Sequence, residues 1–142
     1  LDFSDTMLTA AEERVGGNDR AEIRRHDLDD SLPGDLGTFD VVVSSFAIHH
    51  LTHERKRALY AEIFELLEPS GMFANLEHVA SPTDALHQRF LATMEFLDDD
   101  ESNKLLDVNT QVDWLRTIGF DDADCHLKYY EVAMIAGTKP SH

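Results

Sequence analysis

The chain has 142 residues, 42% of them hydrophobic, enough for one domain with a buried core. Its 28 acidic residues against 12 Lys plus Arg give a formal net charge of −16, a field that repels nucleic-acid phosphates and anionic lipids and argues against direct DNA, RNA or membrane-surface binding. No apolar run reaches the roughly 18 residues of a membrane span, and the single Cys125 excludes an internal disulfide or a multi-cysteine zinc site, so a reducing, cytoplasmic setting fits best.

The first residue is Leu1 and not Met, so the natural chain is expected to begin earlier. Leu1-Asp2-Phe3-Ser4 reads as the tail of a strand, with Ser4 as N-cap of a helix and Asp5 in its first turn, where the helix dipole favours a negative charge. Met7, Leu8, Ala11 and Val15 recur at helical spacing, and Gly16-Gly17-Asn18 ends that helix. Ala21 to Asp27 is a weaker strand, with Ile23 as its one β-branched residue, and Leu28 to Thr38 is a loop marked by Pro33, Gly34 and Gly37. Val41 to Ser45 is a strand, and Thr52 to Leu67 a helix with Leu59, Ile63 and Phe64 on its apolar stripe, stopped by Pro69-Ser70-Gly71. Met72 to Val79 reads as another strand. Asp84 to Leu97 is an amphipathic helix interrupted by the acidic run Asp98 to Glu101. Asn109-Thr110 offers the N-cap of a helix that carries Val112, Trp114 and Leu115 and ends at Gly119. Asp124 to Tyr130 and Glu131 to Gly137 then form an antiparallel strand pair. This order predicts a single α/β domain with an antiparallel edge.

The stretch Phe39 to Leu51, FDVVVSSFAIHHL, organises the rest. Val41, Val42 and Val43 suit a strand buried on both faces of a parallel sheet, and ligands of open α/β sheets bind past the carboxyl ends of such strands. A small-molecule site is therefore expected near Ser45 to His50.

Four motifs together resemble a class I S-adenosylmethionine-dependent methyltransferase of the kind that acts on small molecules. LDFSDTML resembles the end of that family's second strand and HDLDDSLP the acidic tip of its third. FDVVVSSFAIHHL resembles the fourth strand and following helix, and LLEPSGMFANLE the turn into the fifth strand. The resemblance implies a Rossmann-like, doubly wound, mostly parallel sheet with a C-terminal antiparallel hairpin. It implies S-adenosyl-L-methionine as cofactor, with Asp2 accepting hydrogen bonds from the ribose hydroxyls and Phe3 and Met7 against the adenine. Asp27 would take the adenine amino group, the Leu28 backbone N–H a ring nitrogen, and Ser45 and Phe46 would lie under the methionine part. The competing reading of Asp2 and Asp27 is ordinary strand-end acids.

The family's first strand, glycine-rich loop and first helix have no counterpart in these residues, and Gly16-Gly17 cannot replace the loop because it follows a helix. The chain alone is accordingly expected to bind the cofactor weakly and to be inactive, and the open sheet edge implies a homodimer or strand-exchanged oligomer. His49 and His50 are candidate general bases for a small, uncharged or cationic acceptor, helix capping and packing being the alternative. No metal site is expected, because adjacent histidines at the start of a helix point apart and the acidic run lacks EF-hand spacing. Phe90, Met94, Phe96 and Leu97 are expected to cover the acceptor pocket. A non-catalytic partner or scaffold with a methyltransferase-like fold, and a nucleotide-binding enzyme that holds NAD ribose, are the readings from other classes.

Overall fold

The computed structural model describes residues 1–95 and 100–142. Its elements are helix α1 (Asp5–Val15), strand β1 (Phe39–Ser45), helix α2 (His53–Leu66), strand β2 (Leu67–His78), helix α3 (Asp84–Thr93), helix α4 (Val108–Ile118) and strands β3 (Asp121–Tyr129) and β4 (Val132–Thr138). The sheet order is β1-β2-β4-β3. β1 runs parallel to β2, while β4 is antiparallel to both β2 and β3. The α/β class and the C-terminal antiparallel hairpin are as expected, and among the described residues the sheet is mixed, with one parallel and two antiparallel pairings.

Side chains alternate across a sheet, so the pairings Val42 with Phe73 and Asn75 with Ile135 place these residues on one face. That face carries the core. Leu59, Tyr60 and Ile63 of α2 meet Phe73, Ile135, Phe120 and, from α4, Val112 and Leu115. Tyr60 and Phe120 flank Phe73, with ring centroids 5.5 and 6.1 Å away. The opposite face is far more open: Val41 and Val43 are 50% and 70% exposed. The valine run is therefore not buried on both faces, because β1 pairs with one neighbour in the sheet and only its Val42 side packs against the core.

Several boundaries follow local chemistry that the sequence pattern missed. Ala21 to Asp27 is not a strand but a chain held by one parallel bridge between Asp2 and Arg25, in keeping with its single β-branched residue. α1 has its Ser4 cap, whose hydroxyl accepts from the Met7 N–H at 3.4 Å, but it buries none of its residues. Pro69-Ser70-Gly71 does not separate helix from strand; α2 runs straight into β2, and the irregularity falls inside the strand as a register shift opposite Phe39 and Val41. A Cβ at Gly71 would lie 2.8 Å from the Glu68 carbonyl oxygen, so the shift admits only glycine there without rearrangement. α3 ends at Thr93, short of the expected Leu97: Met94 is its C-cap and Glu95 lies in the left-handed region at φ 57°, while Phe96, Leu97, Asp98 and Asp99 lie outside the described residues. α4 begins two residues earlier than Asn109-Thr110 implied, because Asp107 caps it by accepting from the Thr110 N–H.

Unequal burial of the two faces gives unequal costs of truncation. Phe73→Ala should lower stability by about 3–5 kcal/mol in urea denaturation, and Val43→Ala by less than about 1 kcal/mol. Equal losses would contradict the one-sided core.

Candidate active site

The carboxyl ends of β1 and β2 meet at a corner built around Glu77. Glu77 ends the buried row Phe73, Asn75, Glu77 of β2 and is 1% exposed. Its Oε2 accepts from the backbone N–H groups of Ile48 and His49 at 2.8 and 3.1 Å. Its Oε1 accepts from the His78 N–H at 2.8 Å and lies 2.6 Å from His49 Nδ1. A carboxylate offers about four acceptor positions, and here three are filled by backbone donors. The fourth contact requires Nδ1 of His49 to carry a proton, so in the neutral ring Nε2 holds the lone pair. Nε2 makes no hydrogen bond among the described residues. The geometry fixes the orientation of the His49 ring.

His50 stacks beside it, ring centroids 3.9 Å apart. Its Nδ1 is 3.1 Å from the Ser102 hydroxyl, which donates in turn to Asp100 at 2.7 Å. The Ser102 hydroxyl and backbone N–H hold Asp100 below the usual carboxylate range. Because that hydroxyl proton is committed to Asp100, Nδ1 of His50 is the donor and its Nε2 is also the basic nitrogen.

A groove of about 590 Å³ runs along the free edge of β1 and is lined by Asp2, Leu28, Leu32, Val42 and Ser45, reaching Ala47 and Ile48 beside the His49 corner. Three expected cofactor residues, Asp2, Leu28 and Ser45, thus share one hollow. Asp2 Oδ1 accepts from the Ser4 N–H at 2.8 Å, and its backbone oxygen accepts from His26 N–H at 2.9 Å, which sets it beside the His26-Asp27 segment. Leu28 is fixed by Arg55, whose guanidinium donates to the Leu28 and Asp30 carbonyls at 2.7 and 2.8 Å while pairing with Glu62. Asp27 is exposed and accepts from the Asp29 N–H at 3.0 Å, outside the groove lining. Phe3, Met7 and Phe46 are also exposed and do not line it, Phe46 sitting in the left-handed region at φ 48°.

The family model described as "Methyltransferase domain" matches residues 1–71, half of the chain. The chain belongs to the methyltransferase-domain family. It is 27% identical over 159 aligned positions to a demethylmenaquinone methyltransferase of Clavibacter sepedonicus, an alignment covering 99% of this chain and 63% of that protein. The fold is similar to that of an O-methyltransferase family protein from Burkholderia thailandensis (TM-score 0.74, 20% identity, 99% of this chain and 42% of that one). It is similar also to human N-acetylserotonin methyltransferase in complex with SAM (TM-score 0.65, 15% identity, 98% and 39%). This methyltransferase domain therefore spans less than two thirds of the length of these relatives.

Two groups in the corner carried no sequence signal strong enough to single them out. From sequence, Glu77 with His78 stood out only as residues able to approach His49 and His50 from the next strand tip as metal ligands, and nothing marked Lys56. Lys56 is buried, and its ammonium donates to the His49 carbonyl at 3.3 Å and to the Lys104 carbonyl. Lys104 closes the same corner, its backbone N–H on the His49 carbonyl at 2.9 Å and its ammonium on that of His50 at 2.8 Å. Among the described residues, no group of three or more His, Cys, Asp or Glu is arranged to hold a metal ion. Nor, among them, is any helix long and apolar enough to cross a membrane.

Burial pushes the Lys56 ammonium down to about 8 from 10.5, with nearby Glu77 opposing and Lys104 adding to the shift. Between those two values the unfolded chain still holds a proton that the folded chain has released, so the Lys56 contribution to stability rises with pH across that window. Denaturation midpoints of the parent and Lys56→Met should therefore move in favour of the parent from about pH 8 to 10.5. A difference that is flat with pH would contradict the assignment.

Proposed function

We propose that the protein containing this methyltransferase domain transfers a methyl group from S-adenosylmethionine to a small-molecule acceptor, with His49 as the base that receives the acceptor's proton. The observation that carries this reading is the saturated Glu77 carboxylate, which fixes the His49 tautomer at the end of the groove. Family membership and the likeness to a demethylmenaquinone methyltransferase support the reaction class.

The residues present suit the cofactor. The groove falls within the roughly 300–1,000 Å³ typical of small-molecule sites, and it combines apolar Leu28 and Leu32 with the Asp2 carboxylate. Asp2 Oδ2 carries no hydrogen bond among the described residues and is available to sugar hydroxyls. Ser45 would hold the amino-acid end, and Phe3 and Met7 offer apolar surface on the segment that carries Asp2. Asp27 and Phe46 would meet the cofactor from the rim. S-adenosylmethionine supplies the electrophilic methyl group when bound.

With the cofactor bound, its methyl–sulfur bond would break with the electron pair kept by sulfur as an acceptor heteroatom bonds to the methyl carbon, and Nε2 of His49 would take the proton that this heteroatom releases. The positive ring that results would be stabilised at Nδ1 by the Glu77 carboxylate 2.6 Å away. His50, held in the matching tautomer by Ser102, lines the same corner and would accept a proton from a differently placed group. The surface charge of −16 favours an uncharged or cationic acceptor over an anion.

In the intact protein, His49→Ala and Glu77→Gln should each lower turnover by about 10²–10⁴-fold while leaving cofactor affinity within about twofold. Turnover of His49→Ala within tenfold of the parent would remove the proposed base. Asp2→Ala should instead weaken cofactor binding by about ten- to a hundredfold, the value of one or two charged hydrogen bonds. Residues 1–142 by themselves should bind S-adenosylmethionine weakly, since the groove lies along the unpaired edge of β1. Micromolar affinity in titration calorimetry would contradict this.

A further inference from the structure

A second buried carboxylate lies beyond Glu77. Glu131 follows Tyr130, which is in the left-handed region at φ 50°, in the turn between β3 and β4, and it is 0% exposed. Its Oε2 meets His78 Nε2 at 2.8 Å, and its Oε1 meets His87 Nδ1 at 2.7 Å and the Ser81 hydroxyl at 2.5 Å. Its backbone oxygen accepts from the Val79 N–H at 2.8 Å. Burial alone would raise its pKa, but the hydrogen bonds from Ser81, His78 and His87 outweigh it and keep the carboxyl below its usual range. Glu131 is thus an ionised acceptor inside the protein, and its side-chain donors all come from the stretch that leaves β2 and enters α3.

That stretch starts beside the candidate active site. The His78 ring lies 5.8 Å from the His49 ring on one side and 5.3 Å from the Phe90 ring of α3 on the other. Phe90 is the one residue of α3 that is fully buried, so apolar packing gives this helix a narrow footing. The contact from His87 to Glu131 adds a directional tie from the first half of the helix to the hairpin turn. Glu77 orients the His49 ring directly, whereas Glu131 holds the neighbouring segment through His78, Ser81 and His87.

We propose that Glu131 is a positioning residue: by gripping His78, Ser81 and His87 together it ties α3 to the side of the His49 corner and sets the room left there for an acceptor. The grip itself stands apart from the reaction, whereas its bearing on the acceptor rests on the methyl-transfer reading above.

Hydrogen–deuterium exchange of the intact protein tests the grip. His87→Ala, a change at a half-buried helix position that leaves the core intact, should speed exchange within residues 84–93 by tenfold or more, with β1 and β2 unchanged. Glu131→Gln should do the same, and the double variant should add nothing further in α3. His87→Asn should restore protection, because its amide nitrogen can donate from near the position of Nδ1. Diethyl pyrocarbonate, which acylates accessible imidazoles, should modify His49 faster in His87→Ala than in the parent or in His87→Asn. Unchanged exchange of α3 in His87→Ala, acceleration spread evenly over β3 and β4, or failure of His87→Asn to restore protection would each overturn the proposal. If His49→Ala keeps its turnover while α3 responds as described, the methyl-transfer reading fails and the grip stands; if His49 is essential and α3 does not respond, the grip alone fails.

Discussion

One carboxylate carries the corner of this molecule. Glu77 is buried, and a buried carboxylate is tolerated only when its oxygens are fully hydrogen-bonded. Here the bonds come from the start of the turn after β1, from the next residue of β2 and from an imidazole. The same four contacts therefore hold two chain segments together and determine which nitrogen of His49 is basic. Stability and chemistry cannot be separated at this point: a substitution that spares the charge balance still disturbs the ring, and one that spares the ring leaves backbone donors without a partner.

The site has two parts joined through Ser45 to Ile48. On one side the groove along β1 brings Asp2, Leu28 and Ser45 around a common hollow, its loop wall pinned by the Arg55–Glu62 pair. On the other side the imidazoles of His49 and His50 stand with their Nδ1 atoms committed and their Nε2 atoms unbonded among the described residues. Burial is heaviest where positioning matters, at β2, α2 and α4, and lightest along the outer edge of β1 and on α1.

Much of this was readable from the residues because it depends on short-range chemistry. Ser4 announces a helix start by hydroxyl capping, and its cap is present. The paired strands after Gly119 follow from their closeness in sequence. What was not readable depends on distant partners. Three valines in a row give no indication of whether one face or two will be covered, and in this sheet only the Val42 side is. Asp107 takes the cap ahead of Asn109 because its carboxylate accepts from both the backbone N–H and the hydroxyl of Thr110, a choice among neighbouring cap residues that local pattern alone leaves open. Glu77 meets His49 across 28 residues, and only the parallel register of β1 on β2 brings them together. Leu28 could be named from a motif, whereas the Arg55 fork that fixes it could not.

The placement of β4 bears on how such a chain is made. It is the last element in sequence order, yet it lies between β2 and β3 and supplies Ile135 to the core. A nascent chain leaving the ribosome can wind α2 early, because its contacts are local, but β2 and β3 have no common neighbour until Val132–Thr138 has emerged. Until then the edge of β2 that receives Val132–Thr138 is unpaired, and an unpaired strand edge is a template on which another chain can add.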